Sequence, residues 1–306
     1  MELRQLMYFV KAAEMAHFTA AAEALYITQS TLSQQIKQLE NELGMLLFDR
    51  IGKHVHLTEA GGVFLLHARQ ILLDVEKGRQ AIQDLQNMLS GDLRIGVTYA
   101  FTSFLLPALT TFPVKYPGIS IYVEYGTTEL LESKLRASEL DLLLAFQQDA
   151  SYKDFDTQEL FQSRLVMAVS KKHKLAGLKK ISLSRLADID MIFPSRGFSA
   201  RDSLDEALSK NKIQPAVRIE MNDVHSILLL VEKGHWATLL NERALRGWKN
   251  LVAITLEGKE LQRRAYIIWQ RGTYRKKAAD LFIQELLKQL PDGTQQQHKP
   301  PPGDHR

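Results

Sequence analysis

Residues 18–44 constrain the fold of this chain more than any other stretch, because they predict two short helices joined by a tight turn. Thr19 and Thr28 belong to the residue types that cap helix N-termini, and Gly44 suits the left-handed backbone that follows a helix end. The second helix has an apolar stripe at helical spacing and a polar stripe on its opposite side. The apolar stripe consists of Leu32, Ile36, Leu39 and Leu43, and the polar stripe of Ser30, Ser33, Gln34 and Lys37.

The polar face of this second helix has two interpretations. An isolated amphipathic helix of this kind is most often a surface helix whose polar side is solvated. An α-helix also fits the major groove of B-DNA, and Ser, Gln and Lys side chains can reach base edges and phosphates. The position of the helix, second in a helix-turn-helix and followed by the remaining parts of a winged helix, favours DNA binding.

The flanking segments predict those remaining parts. Residues 3–16 have the apolar periodicity of a first helix, and residues 49–50 and 55–57 predict a short hairpin, or wing. Arg50, Lys53 and His54 would then lie near the phosphate backbone of DNA. For an isolated loop, solvation alone would explain these three side chains.

A long helix is predicted to begin after Thr58 and to run to about Leu89. Apolar residues alternate along it by four and three, and form a heptad seam with one weak position at Gly78. A small winged helix cannot bury such a seam, so we expect a second copy of the chain to pair with it. A helix lying on its own domain is the alternative. The seam consists of Phe64, Ala68, Ile71, Val75, Gly78, Ile82, Leu85 and Leu89.

After residue 90 the pattern changes to alternating strands and helices, which predicts an α/β domain with parallel sheets of βαβ units. Within it we expect a helix over 104–113 that stops at a proline, a strand over 164–170 and a last helix over 274–290. The predicted domains are a winged helix-turn-helix at 1–58, a linker and dimerisation helix at 59–90, a domain at 91–290 with lobes at about 91–162 plus 266–290 and about 163–265, and a disordered tail at 291–306.

Composition limits the chemistry that this chain can perform. There is no cysteine, which excludes disulfides, thiolate metal sites and thiol nucleophiles. The histidines are scattered and no glycine-rich phosphate loop occurs, so we expect no catalysis, no metal and no cofactor. The net charge of +4 comes from clusters late in the chain and is poor evidence for DNA binding. Without a signal peptide or a membrane-spanning apolar run, we expect a cytoplasmic protein with no membrane partner.

The N-terminal residues strongly resemble the signature of the LysR-type transcriptional regulators, and the resemblance extends in outline over most of the chain. The matching positions are Phe18, Thr19, Ala21, Ala22, Leu25, Thr28, Gln29, Ser30, Leu32, Ser33, Gln35, Ile36, Leu39, Glu40, Leu43 and Gly44, continued by Leu47, Phe48, Arg50, Leu57, Thr58, Ala60 and Gly61. The resemblance implies a winged helix-turn-helix, a long linker helix and a two-lobed α/β effector domain like the type II periplasmic binding proteins. It also implies a homodimer or homotetramer on double-stranded promoter DNA, with RNA polymerase as a possible further partner.

Two sets of site residues follow by position from this resemblance. Those assigned to DNA are Gln29, Ser30, Thr31, Ser33, Gln34 and Lys37 in the groove, with Arg50, Lys53 and His54 on the backbone. Those assigned to a small-molecule effector between the lobes are Thr98, Thr102, Ser103, Thr127, Thr128, Phe146, Ser195 and Arg196. Hydroxyls at strand ends and helix starts suit a compact anion, because free backbone N–H groups point there. We therefore expect a small anionic effector, although Ser and Thr caps are common in proteins without ligands.

Three alternatives compete with this interpretation. A transport-type binding protein accounts for the two-lobed half, but it leaves the helix-turn-helix unexplained and would need a signal peptide. An enzyme would need a catalytic constellation that the scattered histidines do not supply. A DNA-binding oxyanion sensor with another kind of ligand domain conflicts with the βαβ pattern after residue 90.

Overall fold

The structure, a computed structural model, describes residues 1–51, 54–85, 89–147, 154–257 and 261–290. It divides into two compact units, Met1–Gln86 and Asn87–Arg306. The predicted disordered tail at 291–306 lies outside the described residues. The elements of the first unit are α1 (Leu3–Met15), α2 (Phe18–Ala24), α3 (Gln29–Leu43), β1 (Phe48–Ile51), β2 (His54–Leu57) and α4 (Glu59–Leu85).

The ends of α3 have the predicted caps. The hydroxyl oxygen of Thr28 accepts a hydrogen bond from the backbone N–H of Thr31 (3.2 Å). Gly44 ends the helix with a φ of 70°, in the left-handed region where a side chain would be strained. These two local features fix where the second helix begins and ends.

The cap predicted for α2 is wrong. The helix begins at Phe18, so Thr19 lies inside it, and the Nδ1 atom of His17 accepts a hydrogen bond from the backbone N–H of Ala20 (3.3 Å). An imidazole nitrogen offers a lone pair as a hydroxyl does, which explains how histidine takes the place of the usual Ser or Thr.

Aromatic rings join the hairpin to the helices of the first unit. The ring of Phe9 in α1 lies 5.3 Å from the ring of Phe48 in β1 and 5.3 Å from that of Phe64 in α4. Phe18 meets Phe48 edge-on at 5.4 Å. These contacts belong to the core against which α3 packs its buried stripe.

A buried carboxylate fixes the turn from α3 into the hairpin. Glu40 is buried, and its Oε1 atom accepts hydrogen bonds from the backbone N–H groups of Leu47 (2.9 Å) and Phe48 (3.2 Å). In the sequence this residue reads as one of several surface charges. In the structure it satisfies two donors that would otherwise be buried without a partner.

The start of α4 lies directly against the entrance to the hairpin because Gly61 has no side chain. A Cβ atom at Gly61 would stand 2.1 Å from the carbonyl oxygen of Leu47, whereas one at Gly62 would meet open space. The hydroxyl of Thr58 caps this end, since it accepts from the N–H of Gly61 (2.9 Å) and donates to the carbonyl of Leu46 (2.8 Å).

The predicted heptad seam of α4 has two different halves. Phe64, Ala68 and Ile71 pack into the core of their own unit, so the expectation that a partner helix covers the whole seam is wrong for this half. Ile82 and Leu85, in the second half, are 58% and 79% exposed. The short helix α1 reaches only the first turns of α4, and for those turns the alternative of packing within the same domain holds.

The second unit contains the following elements in chain order: β3 (Gly91–Val97), α5 (Thr102–Lys115), β4 (Ile119–Tyr125), α6 (Thr128–Arg136), β5 (Leu142–Gln147), β6 (Phe155–Ser170), β7 (Lys180–Ile181), β8 (Asp190–Pro194), α7 (Ser199–Lys210), β9 (Ala216–Met221), α8 (Val224–Glu232), β10 (Ala237–Asn241), β11 (Leu251–Leu256), β12 (Gln262–Gln270) and α9 (Lys277–Leu287). Short 3-10 helices occur at Tyr99–Phe101, Leu183–Asp188 and Glu242–Leu245.

Two lobes share the long strand β6. Lobe I has the strand order β4-β3-β5-β12-β6, with β3 parallel to β4 and β5, and with β12 antiparallel to β5 and β6. In lobe II, the last part of β6 pairs with β10 and β11, and the sheet continues through β8 to β9 and through β11 to β7. The expectation of parallel βαβ units therefore holds for β3–β5 and β8–β10, while the connecting strands are antiparallel.

The strand expected at 164–170 is only the second half of β6. Its first half, which begins at Phe155, pairs with β12 in lobe I. Polar residues such as Asp156, Thr157 and Gln158 interrupt the apolar alternation there, so the sequence pattern does not predict a strand. The backbone of this polar half is held in a strand by its pairing with β12, about a hundred residues later in the chain.

Two helix ends in the second unit differ from the predictions. Helix α5 continues through Pro113 to Lys115, because its buried face at Phe104, Ala108 and Phe112 holds the helix past a residue that lacks an N–H. Helix α9 begins at Lys277 rather than at 274. Among the helices of the described ranges, none has both the length and the apolar character to cross a bilayer.

Candidate functional site

Helix α3 separates its residues into a buried and an exposed side. Leu32, Ile36 and Leu39 are fully buried in the core of the first unit. On the opposite side, five of the predicted DNA-contacting residues are exposed and Ser33 is half-buried; the exposed ones are Gln29, Ser30, Thr31, Gln34 and Lys37. The division places the polar stripe on the outside of the unit, as the helical spacing predicts.

The polar side chains of this face are not equally available. The Nε2 atom of Gln29 donates to the hydroxyl of Ser33 (2.8 Å), and the Thr28 hydroxyl lies 2.9 Å from that of Ser30. Lys37, by contrast, makes no ion pair with any carboxylate of the described residues, and its positive charge is exposed. A cation that is free in this way can neutralise a phosphate.

Sequence reasoning missed one exposed residue beside α3. Tyr26, in the turn between α2 and α3, is 97% exposed and has a φ of 56°. The turn holds its backbone in the left-handed region, and the backbone N–H of Tyr26 donates to the carbonyl of Glu23 (3.0 Å). A large aromatic ring in full contact with solvent at this position adds to the surface that α3 presents.

The predicted wing is present as the β1–β2 hairpin, in which Arg50 pairs with Val55 and Ile51 with His54 across the strands. The side chains of Arg50 and His54, and the whole of Lys53, lie outside the described residues. Their expected contact with the DNA backbone therefore stays a prediction.

Most hydroxyls predicted to bind an effector are engaged with the backbone. Thr98 donates to the carbonyl of Leu144 (3.3 Å), Thr102 to that of Tyr99 (2.8 Å), and Ser103 to that of Arg243 (3.1 Å). Thr127 accepts from the N–H of Leu130 (3.3 Å) and caps α6. The oxygen of Thr128 is buried and has no hydrogen-bond partner among the described residues.

A stack of aromatic rings closes the cleft between the lobes. The ring of Tyr99 lies between Tyr125 of lobe I, at 5.2 Å, and Phe198 of lobe II, at 5.5 Å. A Cβ atom at Gly197 would stand 3.2 Å from the methyl group of Thr127, which shows how closely the lobes meet. The remaining cavity of about 30 Å³, lined in part by Thr98 and Asn241, has room for a water molecule or two.

Of the eight predicted effector residues, Thr98 alone lines this cavity; Thr102 and Ser103 line a second cavity beside it, and Phe146, Ser195 and Arg196 have other surroundings. Phe146 is buried in the core of lobe I, where its ring lies 4.6 Å from that of Phe101. Ser195 donates its backbone N–H to the carbonyl of Met221 (2.8 Å). Arg196 is exposed and lines a separate open depression with Arg201 and Asp205. The family resemblance and the strand ends predict these residues, but neither predicts Tyr99 and Phe198, because their stacking joins distant parts of the chain.

The described residues contain no cluster of three or more His, Asp or Glu side chains that could hold a metal ion. Burial lowers the pKa of Arg263 in β12, whose Nη2 atom donates to the carbonyl of Phe146 (3.3 Å).

Comparison with known proteins covers both units. Residues 3–62 match the family described as "Bacterial regulatory helix-turn-helix protein, lysR family", and residues 86–291 match the "LysR substrate binding domain". The chain is 32% identical over 301 residues to a probable RuBisCO transcriptional regulator of Thalassiosira pseudonana, which covers 94% of this chain and 98% of that protein. It is also 32% identical over 288 residues to the HTH-type transcriptional activator CmpR of Synechocystis, with 93% and 94% covered.

Among solved structures, a full-length OxyR variant of Pseudomonas aeruginosa matches with a TM-score of 0.71 and 25% identity, over 94% of this chain and 98% of that one. The predicted fold class is thereby confirmed: a winged helix-turn-helix, a long linker helix and a two-lobed α/β domain.

Proposed function

This chain belongs to the LysR family of DNA-binding transcriptional regulators, and we propose that it binds promoter DNA as a homodimer or homotetramer and responds to a small anion held between its two lobes. The observation that carries the DNA part is the division of α3 into a buried apolar side and an exposed polar side. Its relatives are transcriptional regulators, which favours regulation over catalysis for this chain as well.

In this proposal, α3 enters the major groove and the hairpin follows the phosphate backbone. Gln34 and Ser30 are exposed near the N-terminal half of the helix, where side chains reach base edges in helix-turn-helix proteins. Lys37, one turn later, is free to contact a phosphate. Arg50, Lys53 and His54 on the wing hold the backbone, so that they position the protein while α3 reads the sequence.

The second half of α4 supports the proposed dimer. Val75, Ile82 and Leu85 are exposed apolar residues on the part of α4 beyond the core of its own unit. A partner α4 would cover this stripe and remove apolar surface from water. Two winged helices held in this way would bind two half-sites, and RNA polymerase is a further partner of the assembled complex.

The closed cleft explains how a ligand could act as a switch. Its cavity of about 30 Å³ is too small for an organic anion, so an effector must separate Tyr99 from Phe198 in order to enter. Next to this cavity, at the start of α6 where Thr127 meets Gly197 of lobe II, the unpartnered hydroxyl of Thr128 and the helix N-terminus offer donors to a negative charge. A ligand that binds only the open lobes shifts the protein toward that state.

Protection of DNA from nuclease digestion tests the whole proposal. The DNA upstream of the chain's own gene is digested with and without the protein, in the presence and absence of small carboxylates and inorganic anions. We expect two protected half-sites separated by whole turns of the double helix, and a change in the protected pattern with an active anion. No protection of any upstream sequence at low salt would contradict the DNA part, and an unchanged pattern with every anion would contradict the effector part.

A further inference from the structure

A second cavity, of about 180 Å³, lies beside the closed cleft and is lined by two arginines that form no ion pair with a carboxylate of the described residues. We call it the arginine cavity and define it by Arg243, Arg246, His225, Trp248, Thr102 and Ser103. The first four belong to lobe II, and the last two begin α5 of lobe I. Tyr99, Val224 and Ala244 line both cavities, so the two are neighbours.

Arg243 is held in place by uncharged neighbours. Its guanidinium carbon lies 3.5 Å from the centre of the Phe161 ring. Its backbone N–H donates to the side-chain oxygen of Asn241 (3.0 Å), and its carbonyl accepts from the hydroxyl of Ser103 (3.1 Å). The backbone is thus fixed from both lobes, while the charged end is left without an ionic partner among the described residues.

The nearest carboxylate is already engaged. Glu242 adjoins Arg243 in the chain, but its two oxygens accept from Nε (3.0 Å) and Nη2 (3.3 Å) of Arg164. Burial, with the positive charge of Arg246 as a second cause, lowers the pKa of Arg243 to about 10. The negative charge of Glu242 offsets part of this effect, and Arg243 stays charged at neutral pH beside the positive charge of Arg246, which repels it. An anion between them would remove that repulsion.

The remaining walls indicate what kind of anion fits. The hydroxyls of Thr102 and Ser103 donate to backbone carbonyls and have no proton left for a ligand. Recognition must come from the guanidinium groups, which bind carboxylate, sulfate and phosphate oxygens in pairs. The ring of Trp248 lies 5.4 Å from that of His225, tilted by 51°, and forms an apolar side that accepts a short carbon skeleton.

We propose that the arginine cavity binds a small dianion, such as sulfate, a phosphate monoester or a short dicarboxylate, between Arg243 and Arg246. This site is additional to the cleft in which the proposed function places the effector. Since α5 of lobe I and the 3-10 helix of lobe II both line the cavity, its occupant contacts both lobes beside Tyr99.

Calorimetric titration of the full-length protein tests this site. The probes are sulfate, malonate and acetate at constant ionic strength, and the deciding variant is Arg246→Gln, because Arg246 is exposed and makes no ion pair within the described part of the chain. Losing a charge-assisted hydrogen-bond pair should weaken sulfate binding by roughly tenfold or more. Arg185→Gln, an exposed arginine of lobe II away from the cavity, should bind sulfate as the parent does.

Comparison of the probes shows which kind of anion binds, and one further variant shows where it binds. Sulfate or malonate binding more tightly than acetate supports the dianion, and the better of the two shows whether a compact or an extended dianion is preferred. Equal affinity of Arg246→Gln and the parent would overturn the site. Loss of sulfate binding in Thr128→Val but not in Arg246→Gln would move the anion to the start of α6, where lobe I meets lobe II at Thr127 and Gly197. That result would refute the arginine cavity and leave the proposed function standing.

Discussion

The outer face of α3 and the hydroxyl-rich edge of lobe I look alike in sequence, but their polar groups are used differently. On α3, Gln34 and Lys37 are exposed and the lysine has no ionic partner in the described structure. At the edge of lobe I, the hydroxyls of Thr98 and Thr102 donate to carbonyls of their own lobe. The face of α3 leaves Gln34 and Lys37 available to a ligand, whereas these hydroxyls of lobe I hold the strand end and the helix start.

The difference shows that residue type alone does not identify a binding group. A Ser or Thr after a strand satisfies the local backbone in most proteins, and only a donor without a partner can gain a full hydrogen bond from a ligand. By this criterion the exposed part of α3, the hydroxyl of Thr128 and the guanidinium groups of Arg243 and Arg246 are the binding candidates. The engaged hydroxyls are structural.

The largest expected effect is a loss of stability on removing the buried carboxylate of Glu40, compared with removal of an exposed carboxylate. Glu40→Ala leaves two buried N–H groups without an acceptor, which should lower the stability of the first unit by about 2–4 kcal/mol. Such a loss corresponds to a fall of roughly 10 °C or more in the melting temperature of that unit. Circular dichroism measures it on the full chain. The control is Glu42→Ala, where an exposed side chain should change stability by less than about 1 kcal/mol; equal melting of the two variants would contradict the assignment.

The next largest effect concerns two adjacent glycines of α4. Gly61→Ala would place its Cβ against the carbonyl of Leu47 and should cost about 1–3 kcal/mol. Gly62→Ala meets open space and should stabilise the helix by up to about 1 kcal/mol. Opposite shifts in melting temperature are expected, and a parallel shift would show that helix propensity rather than close packing governs this turn.

Lys37→Ala tests whether the free cation contacts phosphate. Its loss should weaken binding to every DNA sequence and reduce the slope of log affinity against log salt by about 0.9, the value for one phosphate contact. Fluorescence anisotropy with a labelled duplex at several salt concentrations gives the slope. A change in sequence preference with an unaltered slope would mean that Lys37 reads a base.

The smallest expected effect comes from an engaged hydroxyl. Thr98→Val removes the hydrogen bond to the Leu144 carbonyl and should cost about 0.5–1.5 kcal/mol in stability, measured as melting of the second unit. If Thr98 is structural, the affinity for an effector should stay near that of the parent, while Thr128→Val should lower it. Equal loss of effector affinity in both variants would contradict the prediction that only the hydroxyl without a hydrogen-bond partner binds the effector.

The sequence predicted those features that neighbouring residues determine. The buried stripe of α3, its cap at Thr28 and its end at Gly44 depend on residues within a turn or two of one another. The wing and most strands followed from periodicity in the same way. The cap at His17 could also have been read locally, had histidine been counted among the residues that accept a hydrogen bond from a helix N-terminus.

Features that join distant segments could not be predicted from periodicity. The first half of β6 exists because it pairs with β12, and the closed cleft exists because Tyr99 stacks on Phe198. The position of Arg243 over Phe161 likewise brings together residues about eighty positions apart. These contacts determine which effector-site residues line a cavity, and they explain why Phe146 and Arg196 lie elsewhere.

If the exposed face of α3 reads DNA sequence, Gln34→Ala should remove a base contact without disturbing the fold. Anisotropy at one salt concentration gives the affinity of parent and variant for the protected upstream duplex and for an unrelated duplex of equal length. We expect the variant to lose about 1–3 kcal/mol on the upstream duplex, as for a lost base contact, and little on the unrelated one. Equal affinities of parent and variant for the upstream duplex, with the fold intact by circular dichroism, would contradict this role of α3.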